Sequence, residues 1–178
     1  MSGDQRDEIL THLPAMRAFA RSLTQNPATA DDIVQDAVIK AWTNFDKFEK
    51  GSNLRAWLFT ILRNTFFSLR RKLKHEVEDV DNIVASTLST KPEHDGRLAI
   101  NDLMKALRLL SIEQREAIVL IGALGFAYEE AAELCDVPVG TIKSRANRAR
   151  EQLANLMENG FVPAVNGADQ SRSGHDKV

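Results

Sequence analysis

The chain has 178 residues, of which 43% are hydrophobic, and its formal net charge at pH 7 is −2. This length suffices for one domain or two small ones with a packed core. No apolar run approaches the roughly 18 residues of a membrane span, and the polar N-terminal sequence MSGDQRDEIL is unlike a signal peptide. We therefore expect a cytoplasmic protein with no membrane partner. The single cysteine, Cys135, excludes an internal disulfide and forms no familiar zinc pattern with the four scattered histidines, so we expect no metal and no other cofactor.

The charged residues are segregated along the chain. Residues 54–75 contain six basic residues and no acid, and residues 140–150 contain four basic residues and no acid. Between these blocks, residues 76–95 carry six acids and one lysine with little helical periodicity, which is typical of a linker. The predicted units are a domain at 1–75, an acidic linker at 76–97, a domain at 98–160 and a disordered tail at 161–178.

The first strongly periodic segment follows Asn26, a candidate N-cap residue with Pro27 at the first helical position. Apolar residues recur at helical spacing at Val34, Ala37, Val38, Ala41, Trp42 and Phe45, which predicts an amphipathic helix. The other face of this helix is polar and acidic, and it includes Asp32, Gln35 and Asp36. This acidic face can be an ordinary solvated surface or a docking surface for a basic partner.

A second helix is predicted to start near Ser52 or Asn53 and to run past Leu69. One side of it alternates cations with aromatic rings, and we call this side the basic-aromatic ridge: Arg55, Phe59, Arg63, Phe67, Arg70 and Lys74. Arginines neutralise phosphates and exposed rings stack on unpaired bases, so the ridge indicates single-strand binding. Alternatively, Phe59 and Phe67 are buried against a neighbouring helix. The preceding loop, Asn44 to Asn53, is either a connection or a place that receives an extruded base.

The second domain contains the pattern of a helix-turn-helix. Ser111 and Gln114 fit a capping box that opens a helix through Ala123. A short helix at Tyr128 to Cys135, a tight turn and another amphipathic helix follow. The start of the last helix turns small polar and basic residues outward, among them Thr141, Lys143, Ser144, Arg145 and Arg148. Such residues at the start of a second helix predict contact with duplex DNA in the major groove.

Three segments in this order, DDIVQDAVIKAW, LRAWLFTILRNTFFSLRR and YEEAAELCDVPVGTIKSRANRAREQL, resemble regions 2.2, 2.4 and 4.2 of bacterial RNA polymerase sigma factors. The resemblance is to the extracytoplasmic-function (ECF) group of the sigma-70 family. KLKHEVEDVD and GALGFAYEEAAELC are similar to the general-stress-response (EcfG-like) branch of alphaproteobacteria. The resemblance implies an all-α protein in which two small helical domains, sigma region 2 and sigma region 4 with its helix-turn-helix, are joined by the acidic linker.

The resemblance also implies a function and its residues. The chain would bind core RNA polymerase, direct transcription initiation at the −35 and −10 elements of promoter DNA and help to melt the −10 region. It would act in a general stress response and be restrained by a small, helical anti-sigma factor. The acidic linker would lie in or near the RNA exit path. By position, the implied contacts are Asp32, Gln35 and Asp36 for core polymerase; Arg63, Asn64, Phe67, Arg70 and Arg71 for the −10 element; and Thr141, Lys143, Ser144, Arg145 and Arg148 for the −35 element.

Other classes of protein explain less of the sequence. A helix-turn-helix transcriptional regulator would leave the acidic face and the basic-aromatic ridge without a use. A sigma-like decoy that binds an anti-sigma factor would be expected to carry a receiver domain as well. An enzyme fits least, because the four histidines lack partners in a recognisable catalytic constellation, and Cys135 is interpreted as a small core residue at a helix end. We therefore predict no catalytic residues.

Overall fold

The computed structural model describes residues 7–78 and 95–159. Residues 79–94 of the predicted linker and the whole of the predicted tail lie outside the described residues. Within these residues the chain is helical and contains no strand, which confirms the all-α prediction. The helices are α1 (Glu8–Thr11), α2 (Leu13–Thr24), α3 (Pro27–Thr43), α4 (Leu54–Glu78), α5 (Asp95–Arg108), α6 (Ile112–Ile118), α7 (Tyr128–Cys135) and α8 (Val139–Asn159), with a 3₁₀ turn at Phe45–Lys47 and a π-helical turn at Val119–Ala123.

The N-terminal lobe, residues 7–78, is built from α2, α3 and α4. The side-chain oxygen of Asn26 accepts a hydrogen bond from the backbone N–H of Thr29 at 3.1 Å, and Pro27 follows, so α3 starts as predicted. The helix buries Ile33, Val34 and Ala37 among other residues. The prediction that Trp42 belongs to the apolar stripe is wrong, because its side chain is 44% exposed. Each residue rotates about 100° around the helix axis, which carries Trp42 off the face that buries Ala41.

The C-terminal lobe, residues 95–159, contains the predicted capping box and helix-turn-helix. Ser111 Oγ accepts from the backbone N–H of Gln114, and the Gln114 side chain accepts from the backbone N–H of Ser111, both at 3.2 Å. After α7, Asp136 takes a left-handed conformation with φ of 54°, which ends that helix and turns the chain into α8. The side chains of Ile142, Ala146 and Ala149 are fully buried and fix the face that α8 turns inward.

The two lobes pack against each other. Helix α4 lies against α7, and α2 lies against α6. Phe59 of α4 is fully buried, with its ring centroid 5.5 Å from that of Phe19 in its own lobe and 5.2 Å from that of Phe126 in the other. One hydrophobic core therefore runs through both lobes, and we call this packed state the closed arrangement.

Candidate nucleic-acid interface

The N-terminal end of α8 presents the side chains that the sequence assigns to duplex DNA. Lys143, Ser144 and Arg148 are exposed, and Thr141 and Arg145 are half-buried. Ser144 Oγ donates to the backbone carbonyl of Thr141 at 3.0 Å, which holds the hydroxyl against the helix. All five residues lie within the first three turns, so their polar groups share one end of the helix-turn-helix.

Two further residues support this surface and were not included in the sequence prediction. The Tyr128 hydroxyl accepts from Arg150 Nη2 at 3.2 Å, and the Lys143 ammonium lies 5.6 Å from the centroid of the Tyr128 ring. A second guanidinium nitrogen of Arg150 donates to Asn147 Oδ1 at 2.9 Å. Tyr128 thus links the first helix of the motif to the second by a cation–π contact and a hydrogen bond. Nothing in the sequence around Tyr128, the first residue of α7, indicated this role.

The C-terminal lobe covers part of the basic-aromatic ridge on α4. Of the two alternatives for the ridge, burial holds for Phe59, which is fully buried, whereas Phe67 is half-buried with the Arg63 guanidinium 4.6 Å from its centroid. Arg55 lies 4.3 Å from the centroid of Phe126 and donates a hydrogen bond to the carbonyl of Leu124. The N-terminal half of the ridge, from Arg55 to Arg63, therefore lies at the interface between the lobes in the closed arrangement.

The residues predicted to contact the −10 element lie on two sides of α4. Arg63 faces the C-terminal lobe, where it bonds Glu116, and the Phe67 ring lies beside its guanidinium, whereas Asn64 lines a surface cavity of about 320 Å³ on the other side. Lys40 and Lys47 also line this cavity, and Lys40 Nζ donates to Thr65 Oγ1 at 3.1 Å. Arg70 and Arg71 are exposed further along the helix. Lys40 was not predicted, whereas Lys47 belongs to the loop Asn44 to Asn53 that the sequence offers as a place for an extruded base, although it was not singled out there.

The Arg63 side chain makes a buried ion pair across the lobes. Its Nε donates to Glu116 Oε1 at 2.5 Å and its Nη2 donates to Oε2 at 3.4 Å. Burial raises the pKa of Glu116, and the neighbouring Arg63 cation opposes that shift. Burial would lower the pKa of Arg63, but the hydrogen bond and charge of Glu116 outweigh it and raise this pKa. The adjacent thiol of Cys135, also buried, has its pKa raised to about 12.

The acidic face of α3 is open. Asp32, Gln35 and Asp36 are exposed, and the same side of the helix continues with Ile39, whose side chain is 56% exposed. The surface therefore combines carboxylates with an apolar side chain, a composition suited to a protein partner.

The loop between α3 and α4 is anchored at both ends. Phe48 is buried and packs with Phe45 and Trp57, at centroid distances of 5.6 and 5.2 Å. At the other end, Asn53 Nδ2 donates to Glu130 Oε1 at 2.7 Å, while Glu130 Oε2 accepts from the backbone N–H of Ala127 at 2.9 Å. Glu130 thus caps α7 and fastens the loop to the helix-turn-helix.

Comparison with known proteins identifies the two lobes. Residues 9–76 match the model for sigma-70 region 2, and residues 100–153 match the model for sigma-70 region 4. The chain belongs to the sigma-70 family. It is 51% identical over 152 residues to the ECF RNA polymerase sigma factor EcfG of Rhodopseudomonas palustris, an alignment that covers 85% of this chain and 84% of the relative. It is therefore an ECF sigma factor, and the prediction of an EcfG-like branch is confirmed.

Two solved structures are similar to this ECF sigma factor. The sigma factor RpoE of Bartonella quintana, solved in complex with the anti-sigma factor NepR, is 51% identical with a TM-score of 0.80, and the match covers 88% of this chain and 98% of that one. CnrH, solved in complex with the cytosolic domain of CnrY, is 29% identical with a TM-score of 0.67, covering 89% and 92%. Both matches extend over region 2 and region 4 together.

Sigma factors are not a class of enzymes. Among the described residues of this sigma factor, no helix is long and apolar enough to cross a membrane. The same part of the chain holds no group of three or more His, Cys, Asp or Glu side chains placed to bind a metal ion.

Proposed function

We propose that this chain is the promoter-specificity subunit of RNA polymerase in a cytoplasmic general stress response. It binds core polymerase, directs it to the −35 and −10 elements and helps to melt the −10 region, while the chemistry of RNA synthesis belongs to the core enzyme. The observation that carries the proposal is the presence of an exposed acidic face on α3 together with an exposed basic helix-turn-helix in one chain. A regulator with the helix-turn-helix alone has no use for the first surface.

The −35 element is bound by the N-terminal end of α8. Exposed Lys143 and Arg148 are placed to neutralise phosphates, and Arg145 and Ser144 are placed to reach base edges when the helix enters the major groove. Tyr128 holds the Lys143 ammonium beside α7, which restricts the directions in which this cation can point.

The −10 element is bound by α4 and the loop before it. Arg63, Phe67, Arg70 and Arg71 form the strand-binding side, with cations for phosphates and a ring for stacking. The cavity beside Asn64, lined also by Lys40 and Lys47, has the size and polarity to receive one base taken out of the stack. Because Arg63 is bonded to Glu116 of region 4 in the closed arrangement, region 2 and region 4 separate when this side binds DNA.

Core polymerase docks on the acidic face of α3. Asp32, Gln35 and Asp36 supply charge complementary to a basic partner, which favours association and orientation. An anti-sigma factor, small and helical, restrains the chain when the response is off; the structures of similar sigma factors with NepR and CnrY bound support this partner class.

Run-off transcription tests the proposal. Core polymerase with the wild-type chain is expected to initiate at promoters that core polymerase alone ignores. Asp36→Arg reverses one charge of the exposed docking face without removing a buried group, so it is expected to weaken core binding by at least tenfold and to leave the thermal unfolding curve unchanged. Glu129→Arg, an equal charge reversal at an exposed position of α7, is the matched control for core binding. Equal core affinity for wild type and Asp36→Arg would exclude the docking assignment.

A further inference from the structure

Glu116 is a buried anion at the centre of the interface between region 2 and region 4. Its side chain is 1% exposed, and in the part of the chain whose side chains the structure describes only one other charged residue, Arg115, is buried. An isolated carboxylate in such a place would be strongly unfavourable, so the ionised form of Glu116 depends on positive charges nearby.

One arginine of the other lobe pairs with this carboxylate. Arg63 comes from α4 and makes two hydrogen bonds to Glu116, at 2.5 and 3.4 Å. Arg63 belongs to the proposed −10 surface, so an anion of region 4 holds a proposed DNA-binding cation of region 2.

A carboxylate and a phosphate offer arginine the same arrangement of acceptor oxygens. Arg63 uses two nitrogens toward Glu116, which are the donors it would use toward the DNA backbone. We propose that Glu116 is an internal competitor for promoter DNA: in the closed arrangement it occupies the Arg63 guanidinium, which cannot bind the −10 strand until the lobes separate. This inference rests on the proposed function, because it assumes that Arg63 contacts DNA.

Other contacts also hold the closed arrangement, so Glu116 is not its only support. Asn53 bonds Glu130, Arg55 bonds the Leu124 carbonyl, and the rings of Phe59 and Phe126 pack together. The DNA affinity of the free chain is its intrinsic affinity multiplied by the fraction of open molecules. While the closed form dominates, a tenfold fall in the ratio of closed to open molecules gives about tenfold tighter binding.

The experiment compares Glu116→Gln with Glu113→Gln. Glu113 is exposed on the same helix, so its substitution makes the same change in net charge without touching the interface. The probe is a promoter duplex that the wild-type holoenzyme selects from a random-sequence library, with its −10 region left unpaired. Dissociation constants are measured by fluorescence anisotropy at one salt concentration, for the free chains and for their holoenzymes.

Glu116→Gln is expected to bind the probe at least fivefold more tightly than wild type as a free chain. In the holoenzyme it is expected to bind within twofold of wild type, because the proposed mechanism requires the lobes to be apart there. Glu113→Gln is expected to stay within twofold in both. Adding Arg63→Gln to Glu116→Gln is expected to remove the gain. Arg63→Gln alone is expected to enlarge the free chain in small-angle X-ray scattering without tighter DNA binding.

The competitor role is wrong if folded Glu116→Gln gains less than twofold, if Glu113→Gln gains equally, or if the gain persists in the holoenzyme. If Glu116→Gln does not fold, the scattering of Arg63→Gln decides, and an unchanged radius of gyration refutes the inference. Failure of the wild-type holoenzyme to select any promoter would instead refute the proposed function.

Discussion

Arg115 is the buried cation that precedes Glu116 in the sequence, and its removal is expected to lower the free energy of unfolding substantially. Its guanidinium donates to five backbone carbonyls: Leu107 at 2.7 Å, Leu110 at 3.0 Å, Arg108 and Leu23 at 3.3 Å, and Ser22 at 3.4 Å. Three of these acceptors lie at the end of α5 and the turn after it, and two lie near the end of α2 in the other lobe. The side chain thus supplies donors to the C-terminal ends of two helices, whose carbonyls lack partners within the helix.

Arg115→Met keeps much of the apolar stem and deletes the donors. The two bonds at 2.7 and 3.0 Å, each donated by the charged guanidinium, contribute about 1.5 to 3 kcal/mol apiece. Their sum is about 3 to 6 kcal/mol, and the longer bonds are counted as zero. Burial, followed by the charges of Arg108 and Arg70, lowers the pKa of Arg115, so part of this gain is offset by the cost of burying the cation. The expected net loss is about 2 to 4 kcal/mol.

Urea unfolding followed by far-UV circular dichroism measures this loss. With a slope of about 2 kcal/mol per M, the midpoint is expected to fall by about 1 to 2 M. Arg108→Met, an exposed arginine at the end of α5, is the control and is expected to change stability by less than about 0.5 kcal/mol. A loss below about 1 kcal/mol, or one equal to that of Arg108→Met, would refute the structural role of these bonds.

Three further outcomes are expected. Arg145→Ala, measured in the holoenzyme, should reduce the free energy of promoter binding by about 1 to 3 kcal/mol and relax the base preference at one −35 position. Lys143→Ala should weaken binding equally on all sequences and lower the salt slope by about one unit. Both are measured on a panel of single-base −35 substitutions at two salt concentrations, and unchanged affinity and preference would contradict the −35 assignment. Cys135 has a pKa of about 12, so about one thiol in ten thousand is ionised at pH 8 and alkylation by iodoacetamide should be at least about 10³-fold slower than for a free cysteine. Labelling within tenfold of a free thiol would contradict its burial at the interface.

The elements that the sequence predicted correctly are set by local chemistry. Asn26 before Pro27, and Ser111 three residues before Gln114, supply their own cap partners within one helical turn, so their effect does not depend on the rest of the chain. The helix-turn-helix is similar, because its buried stripe at Ile142, Ala146 and Ala149 repeats at helical spacing. Such patterns predict where a helix begins and which side it buries.

The contacts that the sequence did not predict join distant parts of the chain. Arg63 and Glu116 are separated by 53 residues, and each alone looks like an ordinary charge of a helix surface. Phe59 lies on the basic side of α4, where an exposed ring that stacks on bases and a ring buried by a second lobe give the same pattern. Its burial against Phe126 depends on how region 4 docks, and no spacing within α4 encodes that docking.

In the π-helical turn at Val119–Ala123, the number of residues is as important for the orientation of the following chain as their identity. The backbone N–H of Leu124 bonds the carbonyl of Val119 at 2.9 Å, one residue further back than in an α-helix. Deleting Gly122 would restore regular helical spacing but rotate every later residue by about 100°. The Leu124 carbonyl and the Phe126 ring would then turn away from Arg55, although no contact residue had been replaced. A natural deletion in this turn would therefore break the contacts of Arg55 with the residues after it, although the bonds of Glu116 before the turn would remain.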